Sequence, residues 1–303
     1  MTLDEILREK SKQSLEVPTA FQSAITRQEQ KLFTWLQITL SQLERDALGN
    51  ILTTSNNLAL ITQILEGLKD VFFDASYSRA LRSFLQGFDA QASLTNELFA
   101  LNFDLSSPPN LAAQVLQASK RNAITLFSES VINTTYFEPL RNQLYSSITS
   151  NASFTDTLKV VQEITVGNDQ ADALLSRYAK TYTRTSYGQA DRVYMDTVAK
   201  EVGVEWYRYS GGTVQETREF CDKRVGKFYH RKEVEAWGNE TTQWQGRMKG
   251  TNSATIFQNL GGWNCMHRLI PYSVRAVPKE VVLRNVKNGN YTPSESIKEW
   301  LGV

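Results

Sequence analysis

The 303-residue chain has two cysteines and two histidines, and all four (Cys221, His230, Cys265 and His267) fall within 47 consecutive residues. Thiolate and imidazole are the ligands that tetrahedral zinc favours. In an extended segment Cys265 and His267, two residues apart, face the same side. A zinc site drawn from Cys221, His230, Cys265 and His267 is therefore one use open to the set. A second is a reduced, buried cluster, because free cysteine is among the residue types most often found inside. A third is a Cys221–Cys265 disulfide, and a fourth is a thiol nucleophile with a histidine base, which needs hydrogen-bond reach and a third, orienting group. The spacing is not that of a C-x2-4-C, H-x3-5-H finger. Apart from zinc, no cofactor is expected.

Lys223, Arg224, Lys227, Arg231 and Lys232 put five positive charges into ten residues, with Phe228 and Tyr229 between them. Such a cluster can neutralise phosphates and bind nucleic acid without reading its sequence, or it can form a solvated face or meet an acidic protein surface. Glu233 and Glu235, taken with Arg184 and Ser186, have the composition of an ADP-ribosyltransferase site, while a solvated helix face uses the same E-x-E spacing. Gly261 and Gly262 do not stand in a phosphate-loop pattern. They read as a tight turn whose left-handed backbone brings Trp263, Cys265 and His267 to the core. Trp206, Trp237, Trp244 and Trp263 read as packing anchors.

These residues need elements to hold them. From Phe21 to Leu48 the apolar positions recur at three, four or seven residues, the spacing of a helix with one buried stripe. Similar patterns predict helices over Leu58–Leu68, Tyr77–Phe103, about Leu111–Ile132, a short segment after Pro139, Phe154–Val166 and about Gln170–Val202. The prolines between Ser106 and Asn110 break the run, and Asn110 is a candidate cap. After Gly203 the texture changes. Residues 204–209 alternate as a strand, and Thr213 with Glu216 predicts a capping box that opens a helix carrying Arg218 and Cys221. His267–Val274 reads as an edge strand because of Pro271, and Thr292 with Glu295 predicts a second capping box for a C-terminal helix. The expected fold class is mainly α with a smaller α+β domain: an acidic helical bundle or docking arm over 1–168 and a compact, basic mixed domain over 169–303.

Composition agrees with a folded chain. With 41% hydrophobic and 21% charged residues it can bury a core, and its apolar runs fall far short of a membrane span. The net charge of +1 conceals a split of −6 over 1–176 and +7 over 177–303, which suggests two surfaces with different partners. The N-terminus carries Asp4 and Glu5 where a secretory signal carries base, so assembly in the cytoplasm is expected.

The ordered set Thr217 to Cys221, Gly226 to Tyr229, Val234 to Trp237, Trp244 to Gly246 and Gly261 to His267, with Pro271, resembles the Mu F-like head morphogenesis family of tailed bacteriophages. The preceding helix from Ala179 through Arg184 to Gly203, followed by Trp206, resembles it too. The likeness covers about residues 175–278, and its most specific elements are Arg218-x-x-Cys221 and Gly261-Gly-x-Asn264-Cys265-x-His267. It implies a structural, non-enzymatic minor head protein of the virion, present in few copies, associated with the portal or capsid interior, acting in head morphogenesis and DNA packaging or ejection, and assembled in the host cytoplasm. The implied partners are the portal protein or the major capsid protein and packaged double-stranded DNA. Arg218, Cys221, His230, Trp263, Asn264, Cys265 and His267 are then the structural cluster, and the five basic residues are the nucleic-acid contacts. The alternatives are an ADP-ribosyltransferase-like or nuclease-like effector, and a sequence-independent DNA-binding module.

Overall fold

Apolar residues at helical spacing dominate the chain, and helix makes up 66% of the structure, so the fold is mainly α with a small mixed region. The computed structural model describes residues 1–239, 241 and 243–303. In chain order the elements are α1 (Leu3–Leu40), α2 (Ser55–Phe72), α3 (Ala75–Phe103), α4 (Asn110–Leu126), α5 (Glu129–Ile132), a π-helical turn (Asn133–Phe137), α6 (Glu138–Thr149) and α7 (Phe154–Thr165). A two-stranded hairpin of β1 (Gly167–Asn168) and β2 (Ala171–Asp172) leads into α8 (Leu174–Glu201). The mixed part has β3 (Trp206–Ser210), α9 (Glu219–Asp222), β4 (Phe228–His230), α10 (Arg231–Gly238), α11 (Ile256–Asn259), β5 (Arg268–Tyr272), α12 (Lys279–Lys287) and α13 (Glu295–Leu301). Among the described residues, no helix is long and apolar enough to cross a membrane.

The contacts group these elements into two compact units, and neither is a consecutive stretch. One unit comprises Met1–Leu15, Gly87–Arg121 and Arg184–Val303, and the other comprises Glu16–Gln86 and Asn122–Thr183. The division expected at residue 168 therefore differs from the one observed. The physical reason is that α1, α3, α4 and α8 are long enough for different stretches of one helix to serve different cores.

The unit built on Arg184–Val303 holds a three-stranded antiparallel sheet in the order β4-β3-β5. Central β3 pairs Trp206 with His230 on one side and with Tyr272 on the other. Because side chains alternate across a strand, Tyr207 and Tyr209 enter a core with Ile6, Leu98, Phe99, Val198, Phe220, Cys221, Trp237 and Cys265. Trp206 points the other way, into a smaller core with Val282, Ile297 and Leu301. Pro271 sits on β5 at the sheet edge, where its missing N–H is tolerated.

The first helix begins at Leu3, not near Phe21, and runs through Pro18, which removes one helical hydrogen bond. Ile6, Lys10 and Ser14 recur every four residues and are all buried, so tertiary contacts stabilise this extra length. Lys10 Nζ donates to Asp191 Oδ1 at 2.6 Å, to Thr95 Oγ1 at 2.7 Å and to the Gln91 carbonyl at 3.2 Å. Burial pulls the Lys10 ammonium down to about 8, with Asp191 opposing the shift. Burial alone would raise Asp191, but Lys10 and Arg268 outweigh it and hold the carboxyl below its usual range.

The second unit has an aromatic centre. Phe21 stacks on Phe84 at 4.8 Å and meets Phe127 edge-on at 5.0 Å, and Phe72 meets Phe137 edge-on at 5.7 Å. Buried Glu29 accepts from the Ser176 N–H at 2.9 Å and from its hydroxyl. Burial pushes the Glu29 carboxyl up to about 7 in spite of those bonds.

Two capping boxes expected from the sequence are not formed. Residue 218 caps α9, and the Thr217 hydroxyl turns back to accept from the Val214 N–H at 2.7 Å. Helix α13 starts after Ser294, one residue past Pro293. The expected Leu111–Ile132 helix breaks at Ser128, whose side chain caps α5, and the helix expected from Gln170 starts at Leu174 after the hairpin.

Two outcomes are expected. Lys10→Met leaves the buried Asp191 carboxylate with Arg268 alone, so chemical denaturation should show a loss of about 3 kcal/mol. Lys10→Met with Asp191→Leu should lose less than the two single changes combined. For Glu29 the folded-state pKa lies above the unfolded value of about 4.5, so its contribution is fully present below that pH and is lost as pH rises through about 7. Glu29→Gln should flatten the fall in stability across this window, a difference on the order of 3 kcal/mol. An unchanged profile would contradict the assignment.

Candidate functional site

Three of the four chemically capable residues meet. Cys221 arrives on α9, and Cys265 and His267 flank Met266 just before β5. The two sulfurs lie 3.9 Å apart, Cys265 Sγ lies 3.8 Å from His267 Nδ1, and one ligand atom from each of the three residues falls within a 4.8 Å set. All three are buried, and both thiols are free. The Tyr209 hydroxyl donates to Cys221 Sγ at 3.2 Å, and its ring stacks on His267 at 5.3 Å. The contact with Cys265, together with burial, drives the Cys221 thiol up. The same contact, assisted by His267 and the Arg192 charge, drives Cys265 well down.

The backbone around the cluster is held by two arginines. Arg192 of α8 is buried. Its Nε donates to the Gln258 carbonyl at 2.7 Å, and its Nη1 donates to the carbonyls of Cys265 at 2.8 Å and His267 at 3.3 Å. Arg218 donates through Nη2 to the Trp263 carbonyl at 2.6 Å and through Nη1 to that of Gly261 at 3.4 Å. The Asn264 N–H donates to Thr185 Oγ1 at 3.1 Å, and Asn264 takes a left-handed φ of 58°.

The glycines make close approach possible. A Cβ on Gly261 would lie 2.4 Å from Cys221 Sγ, and one on Gly211 would lie 2.4 Å from the His267 ring. Gly262, at φ +92°, is the one of the glycine pair with the expected left-handed backbone, and its Cα faces the Gly246 carbonyl. Trp263 is only half-buried, contrary to the core position expected for it. Trp244 packs as expected, stacking on Phe220 at 4.3 Å and donating to the Gly261 carbonyl at 3.3 Å.

His230 lies elsewhere. It caps α10, its Nδ1 accepting from the Lys232 N–H at 3.3 Å while Glu233 accepts from the His230 N–H at 2.9 Å. Its ring meets Trp206 at 4.9 Å, and burial lowers its pKa against the pull of Glu205. The expected four-residue ligand set therefore reduces to three, because the sheet turns His230 toward the smaller core around Trp206. Glu233 also accepts from Arg284 and Asn285, each at 2.9 Å, so its carboxylate serves structure.

The basic run splits as well. Arg224 lies over Phe220 and Trp237 at 3.9 and 4.5 Å, and Arg231 pairs with Asp196 at 2.8 Å and covers Phe257. Lys223, Lys227 and Lys232 are exposed, with Lys227 Nζ donating to the Lys223 carbonyl at 2.7 Å. Lys223 also pairs with Glu219 one helical turn away.

A cleft of about 870 Å³ opens beside the cluster, lined by Cys221, Cys265 and His267 together with Arg184, Glu216 and Thr217. Sequence reasoning found Gly261 but not Tyr209, Arg192 or Gly211 as parts of this site. The strand alternation that buries Tyr209 was visible, whereas the reach of Arg192 from a helix some 70 residues upstream was not.

Gly261→Ala should lower stability by about 1–3 kcal/mol, because the new methyl overlaps a sulfur that cannot retreat from the core. Gly212→Ala, which has open space around it, is the control and should change little. Equal melting temperatures for the two variants would contradict the packing described. The chain matches no protein-family model, no curated protein and no solved structure.

Proposed function

We propose that this chain is a structural minor head protein of a tailed bacteriophage, associated with the portal or the capsid interior and acting in head morphogenesis and in DNA packaging or ejection. The observation that carries the reading is the direct contact between the two most specific elements of the Mu F-like resemblance. Arg218 clamps the carbonyls of Gly261 and Trp263, and Cys221 packs on Cys265, across more than forty residues of sequence. Two short motifs matched by accident have no reason to meet, whereas a unit that shares a fold needs both. The use of these residues also favours structure over turnover. Arginine, thiol and glycine all serve backbone positions or packing; of the two glutamates of an ADP-ribosyltransferase reading, Glu233 is held by Arg284 and Asn285, and neither Glu233 nor Glu235 lines the cleft.

In this proposal Lys223, Lys227 and Lys232 are the residues that meet DNA, since Arg224 and Arg231 are committed to aromatic faces and Asp196. The decisive experiment is quantitative mass spectrometry of purified particles, full and emptied of DNA, counting this chain against the portal protein. A few to a few dozen copies per full particle is the expected result, and absence from both kinds of particle overturns the proposal. Reversing Lys223, Lys227 and Lys232 to Glu should weaken binding to any duplex and reduce the dependence of log K on log salt by up to about 0.9 for each phosphate that is no longer neutralised. Retention of the full salt slope would remove DNA from the proposal.

A further inference from the structure

We infer that Cys221, Cys265 and His267 form a zinc site, with the cleft beside them admitting the ion and the solvent that completes its coordination. Zinc binds thiolate sulfur at about 2.3 Å and imidazole nitrogen at about 2.0–2.1 Å, which in a tetrahedron sets neighbouring ligand atoms roughly 3.5–3.8 Å apart. The spacings of 3.9 Å between the sulfurs and 3.8 Å from Cys265 Sγ to His267 Nδ1 are close to that geometry, and the ligand atoms of the three residues lie within 4.8 Å of one another.

The hydrogen-bonding pattern agrees with this. His267 is buried, its Nε2 has no hydrogen-bond partner, and its Nδ1 reaches only a sulfur at 3.8 Å. Buried polar groups are as a rule satisfied, and an imidazole packed merely as a core residue would leave this one short. A metal bond at Nδ1 gives that nitrogen a partner stronger than the 3.8 Å contact to sulfur. Supporting contacts of the kind that orient ligands are also present, since the Tyr209 hydroxyl donates to Cys221 Sγ and the Arg192 guanidinium fixes the carbonyls of both Cys265 and His267. Gly261 and Gly211 leave room at the sulfurs and at the imidazole where any Cβ would intrude. All three ligand residues line the cleft, which gives the ion an entry path. A disulfide is the competing use of the two thiols, and it requires the sulfurs to approach to about 2.05 Å from their present separation.

The test uses the full chain, purified without a metal-affinity tag from cells supplied with zinc. Elemental analysis should find about one zinc per chain. Cys221→Ser and His267→Ala should each bring it near zero, while His230→Ala, at a histidine outside the site, should keep it. Replacement of zinc by cobalt should produce the near-ultraviolet charge-transfer absorption of cobalt thiolate, a readout on the wild-type protein that does not depend on any variant folding. A chelator should lower the melting temperature of the wild type but not of the Cys221→Ser, Cys265→Ser double variant. Folded wild-type protein with zinc far below stoichiometric and no cobalt-thiolate band overturns the inference. A Cys221–Cys265 disulfide in freshly purified protein, found by non-reducing peptide mapping, overturns it too.

Discussion

Two adjacent residues of α8 hold together much of the unit that carries the cluster. A buried charge is tolerated only where its hydrogen-bonding groups are met. Arg192 meets this condition through Nε and Nη1, with the Gln258 carbonyl in α11 and the carbonyls of Cys265 and His267 before β5, and Asp191 meets it with Lys10 and Arg268. One side chain thus sets the backbone of the Cys265 to His267 turn while its neighbour ties down the start of the chain and the first residue of β5. Neither contact is a large source of stability by itself, since burying charge costs much of what pairing returns. Their effect is on geometry, because a turn fixed at two carbonyls presents its sulfur and imidazole in one arrangement.

That arrangement explains how residues of ordinary type make a specialised place. Cys221 comes from a helix of a single turn, and a single turn is poorly fixed by its own hydrogen bonds. It is held instead by Phe220 against Trp244, by Arg218 reaching two carbonyls of the facing turn, and by Tyr209 from the central strand. The glycines then allow an approach closer than any side chain permits. Precision at the cluster comes from its surroundings, in the manner expected of sites whose ligands are positioned by outer contacts.

Much of this was legible in the sequence, for identifiable reasons. The helices with an unbroken apolar stripe, the strand around Tyr207 and the edge position of Pro271 follow from periodicity and from the missing proline N–H. The pairing of Cys265 with His267 follows from their spacing. The start of α1 was not legible, since Lys10 and Ser14 look like surface residues and become buried only through partners 80 and more residues away. Among capping boxes, the pattern rule found Thr213 and Thr292, which are not used, and missed the one centred on His230 and Glu233, because histidine is not among the residues the rule names. The reading of the five cations as one patch failed for a similar reason. A count of charge does not register that guanidinium, unlike ammonium, lies flat on aromatic rings, and this removed Arg224 and Arg231 from the surface set.

The interleaving of the two units bears on how the chain comes to be folded as it is made. Lys10 leaves the ribosome 181 residues ahead of its partner Asp191, and the Ser14 hydroxyl beside it leaves 254 residues ahead of Arg268, from which it accepts. Helix α1 must wait, with an apolar face and a lysine side chain in water, until α8 and β5 have been translated. Contacts of such sequence separation form late and slowly. A ribosome that stops early leaves a fragment whose N-terminal stripe has nothing to cover it, the kind of surface that draws chaperones and promotes aggregation. The cluster of sulfur and imidazole is thereby confined to molecules in which translation has passed His267.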